Sequence, residues 1–564
     1  MTRRAVGLGA MRLSTAPDRP GEAVAIALLE AAIAEGVTLV DTAHAYGLDD
    51  DDLGHNERLL AHVLHDGVEV VTKVGMRRPS GRWVPDGRRR TILAQAEASA
   101  EALGRVPNAV LLHAVDRATD LATSVRALAE VLERGLARSI GLSNVRYGEL
   151  ALARELAPIT TVELAIGPFE DEAVRAGVVE RCLDDGVRVL AHSPLGGPAR
   201  SPRLKKHAVL RAIAEAHHAS PGTIALAWLY GLRPGLVPIP GARRIETALA
   251  AARAPAIELA HEERARLDEA FPIGRLLRVP IRDRRVEATD REVVLLVGIP
   301  GAGKTTAARA WVERGYERLS RDEMGGTLSK LARTLSARLE GGTNRLLLDA
   351  TYATRAKRQV VLDTAWRHGA SVRCVFLDTP LGQAQVNAVE RILDRHGVLL
   401  GPEAIEAAGK KDPNVFAPRV QFRFRDTLEP PEEDEGFTEV VRVPFERARR
   451  EGHDRAGLVC DVAALERVSP SETRPVLVLA WRPKATEEEL AALRASVPAA
   501  FSLEVCVHPA GPALCWCRRP LPGHVVAWMR RERVDPSASR YVGVSSADAT
   551  LAARLGMDYE DAAP

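Results

Sequence analysis

The stretch TLVDTAHAYG, residues 38–47, decides the fold of the first half of this 564-residue chain. A short β-branched run ends in Asp41, and Tyr46 lies five residues on. A strand that delivers a carboxylate at its C-terminal end suits a parallel α/β sheet, whose chemistry gathers at that edge. Working outward, the pattern recurs in VEVVTKV, NAVLLHAVD, ARSIGLSNV, TTVELAIG, VRVLAHSPL and LVPIPG. Amphipathic stretches such as EAVAIALLEAAIAEG and SVRALAEVLERG separate these runs. With AVGLGAM as the opening strand there are eight βα units, which predicts an α/β fold with a closed (β/α)8 TIM barrel over residues 1–275.

Polar residues sit at the predicted strand ends: Asp41, Lys73 in VVTKVG and His113 in AVLLHAVD, with Tyr46 close behind Asp41. That set suits carbonyl reduction. Tyr46 can donate a proton to the developing alkoxide, but a free phenol titrates near ~10, so it needs a charged Lys73 beside it. Asp41 would orient Lys73, and His113 would fix the carbonyl oxygen. Here the chain resembles the aldo-keto reductase family over residues 5–255, on DTAHAYG, TKVG, LLHAVD, GLSN and PIPGARRIE. The resemblance implies Asp41, Tyr46, Lys73 and His113 as a catalytic tetrad and NADPH as hydride donor. It also implies Ser143 and Asn144 as contacts to the nicotinamide carboxamide, and Arg243 and Arg244 as holders of the 2′-phosphate. Three positions depart from the family pattern: Glu163 replaces a glutamine, His192 an aromatic residue, and Ala250-Ala251 a Glu-Asn pair. Glu163 accepts from an amide but cannot donate when ionised, and His192 can stack on nicotinamide. His44, His217 and His218 read as loop or helix-surface residues.

The net charge is only +2, which leaves no global footprint for nucleic acid, and just nine of the 77 basic residues are lysine. A lysine at a motif position therefore stands out. The opening MTRRAVGLGAMRLS carries no long apolar run, and no stretch of 18 apolar residues follows. The expectation is a cytoplasmic protein with no membrane partner and no obligate protein partner. RLLRVPIRDRRVEATDR lacks periodicity, so residues 276–290 read as a charged linker.

Residues 291–450 open on EVVLLV and continue as GIPGAGKTT, 298–306, before the helical AARAWVERG. This is G-x-x-x-x-G-K-[ST] in a strand–loop–helix setting, which predicts a P-loop NTPase domain. Gly298, Gly301 and Gly303 let backbone N–H groups face phosphates. Lys304 reaches the β and γ oxygens, and Thr305, with Thr306 beside it, serves Mg²⁺. Asp322 in SRDEMGG is placed to take a proton from an acceptor hydroxyl. Asp349 ends a further strand, and Asn387, Arg391 and Arg395 lie along a lid-like helix. The order of parts resembles the kinase domain of polynucleotide kinase-phosphatases. The resemblance implies Asp322 as general base, with Lys304, Thr305, Asp349 and Arg391 around the phosphates of ATP and Mg²⁺. The acceptor is a small metabolite or a nucleic-acid 5′-hydroxyl. RVQFRFR, 419–425, is either a platform for single strands or an edge strand with a basic face.

Residues 451–564 read as a small α/β domain containing CVHPAGPALCWCRRPLPG, 506–523. It resembles the haloacid dehalogenase (HAD-like) phosphatases, in particular the histidinol-phosphatase branch with its C-x-H…C-x-C loop. Cys506, His508, Cys515 and Cys517 fill the four ligand positions, a set suited to a closed structural Zn²⁺ site. The phosphatase residues have eroded. The first motif reads Asp461-Val462-Ala463-Ala464-Leu465, Ala480 replaces a threonine, and Arg519 replaces a lysine. The last motif runs from Gly543-Val544 to Asp548, one metal carboxylate short. A pseudophosphatase scaffold is expected. The whole then reads as a carbonyl reductase for a small substrate fused to an ATP-dependent kinase. The alternatives are a nucleic-acid kinase with accessory modules for repair, and a nucleotide-sensing scaffold.

Overall fold

The computed structural model describes residues 5–448, 450–469 and 472–562. The chain divides into two compact units, Met1–Arg284 and Arg285–Pro564.

In the first unit eight parallel strands follow one another in chain order. They are β1 (Gly7–Gly9), β2 (Leu39–Asp41), β3 (Glu69–Val74), β4 (Ala109–Leu112), β5 (Ile140–Ser143), β6 (Ile159–Ala165), β7 (Arg188–His192) and β8 (Leu236–Pro238). The Gly9 N–H donates to Pro240 O at 3.0 Å and Gly9 bridges Gly241, which closes the ring into the expected barrel. A Cβ on Gly7 would lie 2.5 Å from Pro238 O, so only glycine lets β1 approach β8 this closely. Leu39, Val71, Leu111 and Leu190 meet in one buried cluster inside the ring. Strand side chains alternate with period two, so the same inward face carries Asp41, Lys73, His113 and His192 two residues further along. Helices cover the outside; Leu28 and Leu29 of the Glu22–Ala34 helix are fully buried, each worth about 1.5–3 kcal/mol by burial.

The expected linker is partly helical. Pro272–Arg278 and Ile281–Arg284 form helices, and Ile273, Leu276 and Leu277 are buried in the first unit. Their i, i+3, i+4 spacing supplies an apolar stripe that the surrounding arginines obscure in the sequence.

The second unit holds two parallel five-stranded sheets. The first comprises β9 (Glu292–Val297), β10 (Glu317–Ser320), β11 (Arg345–Asp349), β12 (Ser371–Asp378) and β13 (Glu439–Pro444), in the order β10-β11-β9-β12-β13. The second comprises β14 (Leu458–Asp461), β15 (Val476–Trp481), β16 (Ser502–Cys506), β17 (Arg540–Gly543) and β18 (Asp558–Asp561), in the order β16-β15-β14-β17-β18. One apolar cluster spans both: Val389, Ile392 and Leu393 of the Leu381–His396 helix pack with Trp516, Val525 and Trp528. RVQFRFR is neither an edge strand nor an open aromatic platform. It lies in a helix, Pro418–Thr427, started by a proline in its first turn. Phe422 and Phe424 pack against buried clusters, so their rings are not offered to bases. Among the described residues no helix is long and apolar enough to cross a membrane.

Candidate functional site

The barrel brings the four expected residues together at the C-terminal end of its strands. Lys73 Nζ donates to Asp41 Oδ1 at 2.5 Å, to Thr42 O at 2.9 Å and to Tyr46 OH at 3.1 Å. The Tyr46 ring stands edge-on to His113 at 5.7 Å and to Trp83 at 6.2 Å. A cavity of about 330 Å³ opens over His113, lined also by Met11, Met76, Trp83 and Asn144. The exposed Trp83 is a further wall of this cavity, capped by the Arg78 guanidinium at 3.7 Å. It lies outside every strand-end motif, which is why the sequence does not flag it.

Burial dominates the electrostatics. It pushes the Tyr46 phenol up, and Lys73 counters this only in part. Lys73 stays charged: burial opposes its charge, but Asp41 and Glu163 overcome that and raise it. Asp41 is raised well above the carboxylate range, first by burial and then by Glu163. Burial and Lys73 hold His113 far below its usual value, so it is a neutral donor. The expectation that Lys73 makes Tyr46 acidic is therefore corrected for the free protein. Lys73 lowers the phenol, but desolvation is larger, and Tyr46 is held protonated as an acid.

Just after β5, Asn144 adopts φ +57° and donates to His113 O at 3.2 Å and Ser143 Oγ at 3.0 Å. His192 contacts Asn144 Oδ1 through Nε2 at 3.0 Å, and burial lowers its imidazole to about 4. Glu163 is buried and lies 3.1 Å from Lys73 Nζ. Arg243 is engaged by Asp18, at 2.8 Å from its carboxylate and through its backbone carbonyl. Arg244 occupies the N-cap position of the Ile245–Arg253 helix without a side-chain capping bond, and that helix buries Ala251. His44 is not a surface residue: it is buried and faces Glu57 at 3.5 Å, because the loop after β2 folds inward. His217 pairs with Glu263 at 3.0 Å, and His218 sits in a turn at φ +48°.

In the second unit GIPGAGK links β9 to the Lys304–Glu313 helix. Gly301 and Gly303 take φ +87° and +95°, the left-handed region that glycine tolerates. Lys304 Nζ donates to Gly298 O at 2.9 Å and Ile299 O at 3.1 Å, and burial lowers its amine to about 8. The exposed Thr305 and Thr306 open the helix. Asp322 lies in the short helix after β10, 3.5 Å from Arg321. Asp349 is buried at the end of β11 and held by Arg318, whose Nη2 is 2.6 Å away. Arg318 is missed by motif reading because it lies in β10, two residues before SRDEMGG begins. Of the lid-like residues, Arg391 donates to Asn414 Oδ1 at 3.1 Å, Arg395 pairs with Asp412, and Asn387 instead donates to Gly301 O at 2.8 Å.

In the last sheet Cys506, His508, Cys515 and Cys517 converge, with all four ligand atoms within 4.8 Å of one another. His508 Nδ1 is 3.1 Å from Cys517 Sγ, and Cys506 Sγ is 3.3 Å from Cys517 and 3.9 Å from Cys515. Tetrahedral Zn²⁺ with Zn–S bonds of ~2.3 Å sets ligand edges near ~3.8 Å, so this set fits the ion. Elsewhere Arg519 contacts both Asp461 and Asp548, and Tyr541 OH donates to Asp548 at 3.0 Å.

A barrel whose strand ends unite an acid, an ammonium, a phenol and a neutral imidazole defines a carbonyl oxidoreductase site. The family model "Aldo/keto reductase family" matches residues 5–271, and the chain belongs to that family through this segment. A model described as an AAA domain matches residues 293–398. Pyridoxine 4-dehydrogenase of Escherichia coli is 31% identical over 252 residues, 42% of this chain and 84% of that protein. Aldo-keto reductase str7 of Strobilurus tenacellus is 29% identical over 266 residues, 42% of this chain and 77% of that protein. An aldo/keto reductase of Klebsiella pneumoniae, solved with NADP and acetate, is 24% identical, with a TM-score of 0.41, covering 48% of this chain and 91% of that one.

Proposed function

We propose that the protein is a bifunctional enzyme: an NADPH-dependent reductase of small aldehydes or ketones joined to an ATP-dependent kinase for a hydroxyl acceptor. The observation that carries the first activity is the 3.1 Å contact between Lys73 Nζ and Tyr46 OH, with Asp41 holding the ammonium from the other side. NADPH, when bound, supplies the hydride; Ser143, Asn144, Glu163 and His192 line the nicotinamide end, and Arg243 and Arg244 the phosphate end. Tyr46 OH gives its proton to the carbonyl oxygen as negative charge develops there, and Lys73 stabilises the resulting phenolate. Neutral His113 orients the same oxygen. Tyr46→Phe should lower kcat for carbonyl reduction by about 10²–10⁴ with NADPH affinity unchanged, read by NADPH oxidation and fluorescence titration.

For the kinase, Lys304 and the loop N–H groups hold ATP phosphates, and Thr305 holds Mg²⁺. Asp322 takes the acceptor proton. Asp349, oriented by Arg318, and Arg391 complete the charged rim. Labelled γ-phosphate offered in parallel to metabolites and to a 5′-hydroxyl oligonucleotide identifies the acceptor; no transfer to any hydroxyl would overturn the assignment.

The last sheet is best read as a HAD-like pseudophosphatase domain with a structural Zn²⁺. Arg519 supports this: its guanidinium contacts both Asp461 and Asp548, so the two carboxylates left in the eroded motifs are already paired. Mg²⁺-dependent phosphatase activity abolished by Asp461→Asn would contradict it.

A further inference from the structure

The phosphate loop is gripped from behind by side chains that the chemistry above does not use. Gln421 is fully buried and donates from Nε2 to Pro300 O at 2.7 Å and to Ala384 O at 2.8 Å. Thr379 Oγ1 donates to Ala302 O at 3.0 Å. Each peptide is planar and trans, so a carbonyl held rearward turns the next N–H the opposite way. Pinning Pro300 O orients the N–H of Gly301, and pinning Ala302 O orients that of Gly303, both residues of the phosphate loop.

Gln421 is itself placed by the cysteine loop. Phe416 O accepts from Trp516 Nε1 at 3.0 Å, and the Arg419 N–H donates to Ala513 O at 3.1 Å. Trp516 is fully buried between two of the converging cysteines, Cys515 and Cys517. The path from the four ligands to the phosphate loop is thus two hydrogen bonds, the first turn of the Pro418–Thr427 helix and one amide side chain.

We propose that Gln421 is a positioning residue for the nucleotide, and that metal held by Cys506, His508, Cys515 and Cys517 keeps the 416–421 segment, and through it the phosphate loop, in the form that binds nucleotide. This rests on the nucleotide and zinc readings given above. It assigns the last domain a task that needs no phosphatase chemistry.

The test uses the full chain, a fluorescent ATP analogue with Mg²⁺, and zinc content measured on each sample. Removing the metal should weaken nucleotide binding roughly tenfold, within the usual range of site–site coupling, and restoring zinc should recover it. Gln421→Met, similar in volume but without the amide, should lose about as much while retaining its zinc, and metal removal should then cost it nothing further. Nucleotide binding that ignores both metal removal and Gln421→Met overturns the coupling alone. Failure of the zinc-loaded wild-type chain to bind the analogue overturns the nucleotide reading, and a chain that takes up no zinc overturns the metal reading; either removes the proposal with it. Should metal-free protein lose its circular dichroism, the zinc-loaded Gln421→Met sample decides.

Discussion

Lys73 has three protons and four acceptors: Asp41 Oδ1, Thr42 O, Tyr46 OH and the Glu163 carboxylate. Glu163 Oε2 meets that ammonium as an ion pair at 3.1 Å without a well-formed hydrogen bond, beside a carboxylate that needs the same charge. Glu163→Gln should therefore relieve a like-charge contact and restore a group that both accepts and donates. NADPH affinity should rise several-fold, read by fluorescence titration. The same substitution should raise the barrel's melting temperature more at pH 8 than at pH 5. Asp41 titrates higher in the folded state than unfolded, so its contribution is full at low pH and is lost as pH rises through the folded value; removing Glu163 shrinks that loss. Lys304 carries the opposite sign. Its amine is lowered to about 8, so it is charged below that pH and neutral above. Nucleotide affinity should fall as pH rises through 8, and Lys304→Arg should show no such limb. The placing of Asp41, Lys73 and His113 was legible because strand ends and period-two alternation fix where they point, whereas Tyr46, in the loop after β2, was legible only through its motif. The crowding on Lys73 was not, because it depends on Glu163, four strands from β2, reaching the same nitrogen.

At the scale of elements, the loop after β1 is tied to the segment after β8 by Asp18 and Arg243. That contact occupies the guanidinium proposed above to hold the cofactor's 2′-phosphate, and Asp18 is mostly exposed. Asp18→Ala should free Arg243 and tighten NADPH several-fold while leaving NADH unchanged, measured by parallel titrations. Seven of the barrel strands were readable as short buried runs with β-branched residues, while β1, Gly7–Gly9, has none. RVQFRFR was not readable, because alternating arginine and aromatics fits a strand's period as well as a helix whose phenylalanines pack in different directions. Pro418 and the buried Gln421 settle it in the folded chain. The Pro272–Arg278 helix was hidden for a related reason: its apolar stripe is short and flanked by charge.

Across the whole molecule, the two compact units divide the chain at Arg284 and Arg285. Stability should then appear as separate transitions rather than one. A strong chelator should lower the melting of the second unit, where Trp516 of the two-sheet core stands in sequence between the candidate ligands Cys515 and Cys517, and leave the barrel's melting in place; scanning calorimetry checks this. The motifs offered three sets of candidate residues, but not that two of the sheets share one core, since an apolar cluster assembled from distant helices has no local signature.

The contact of Arg519 with Asp461 and Asp548 has one more result. A counter-ion tethered by peptide bonds is present at fixed stoichiometry whatever the magnesium concentration around it. It cannot be diluted away, so Asp461 and Asp548 keep a cationic partner within reach even when magnesium is scarce.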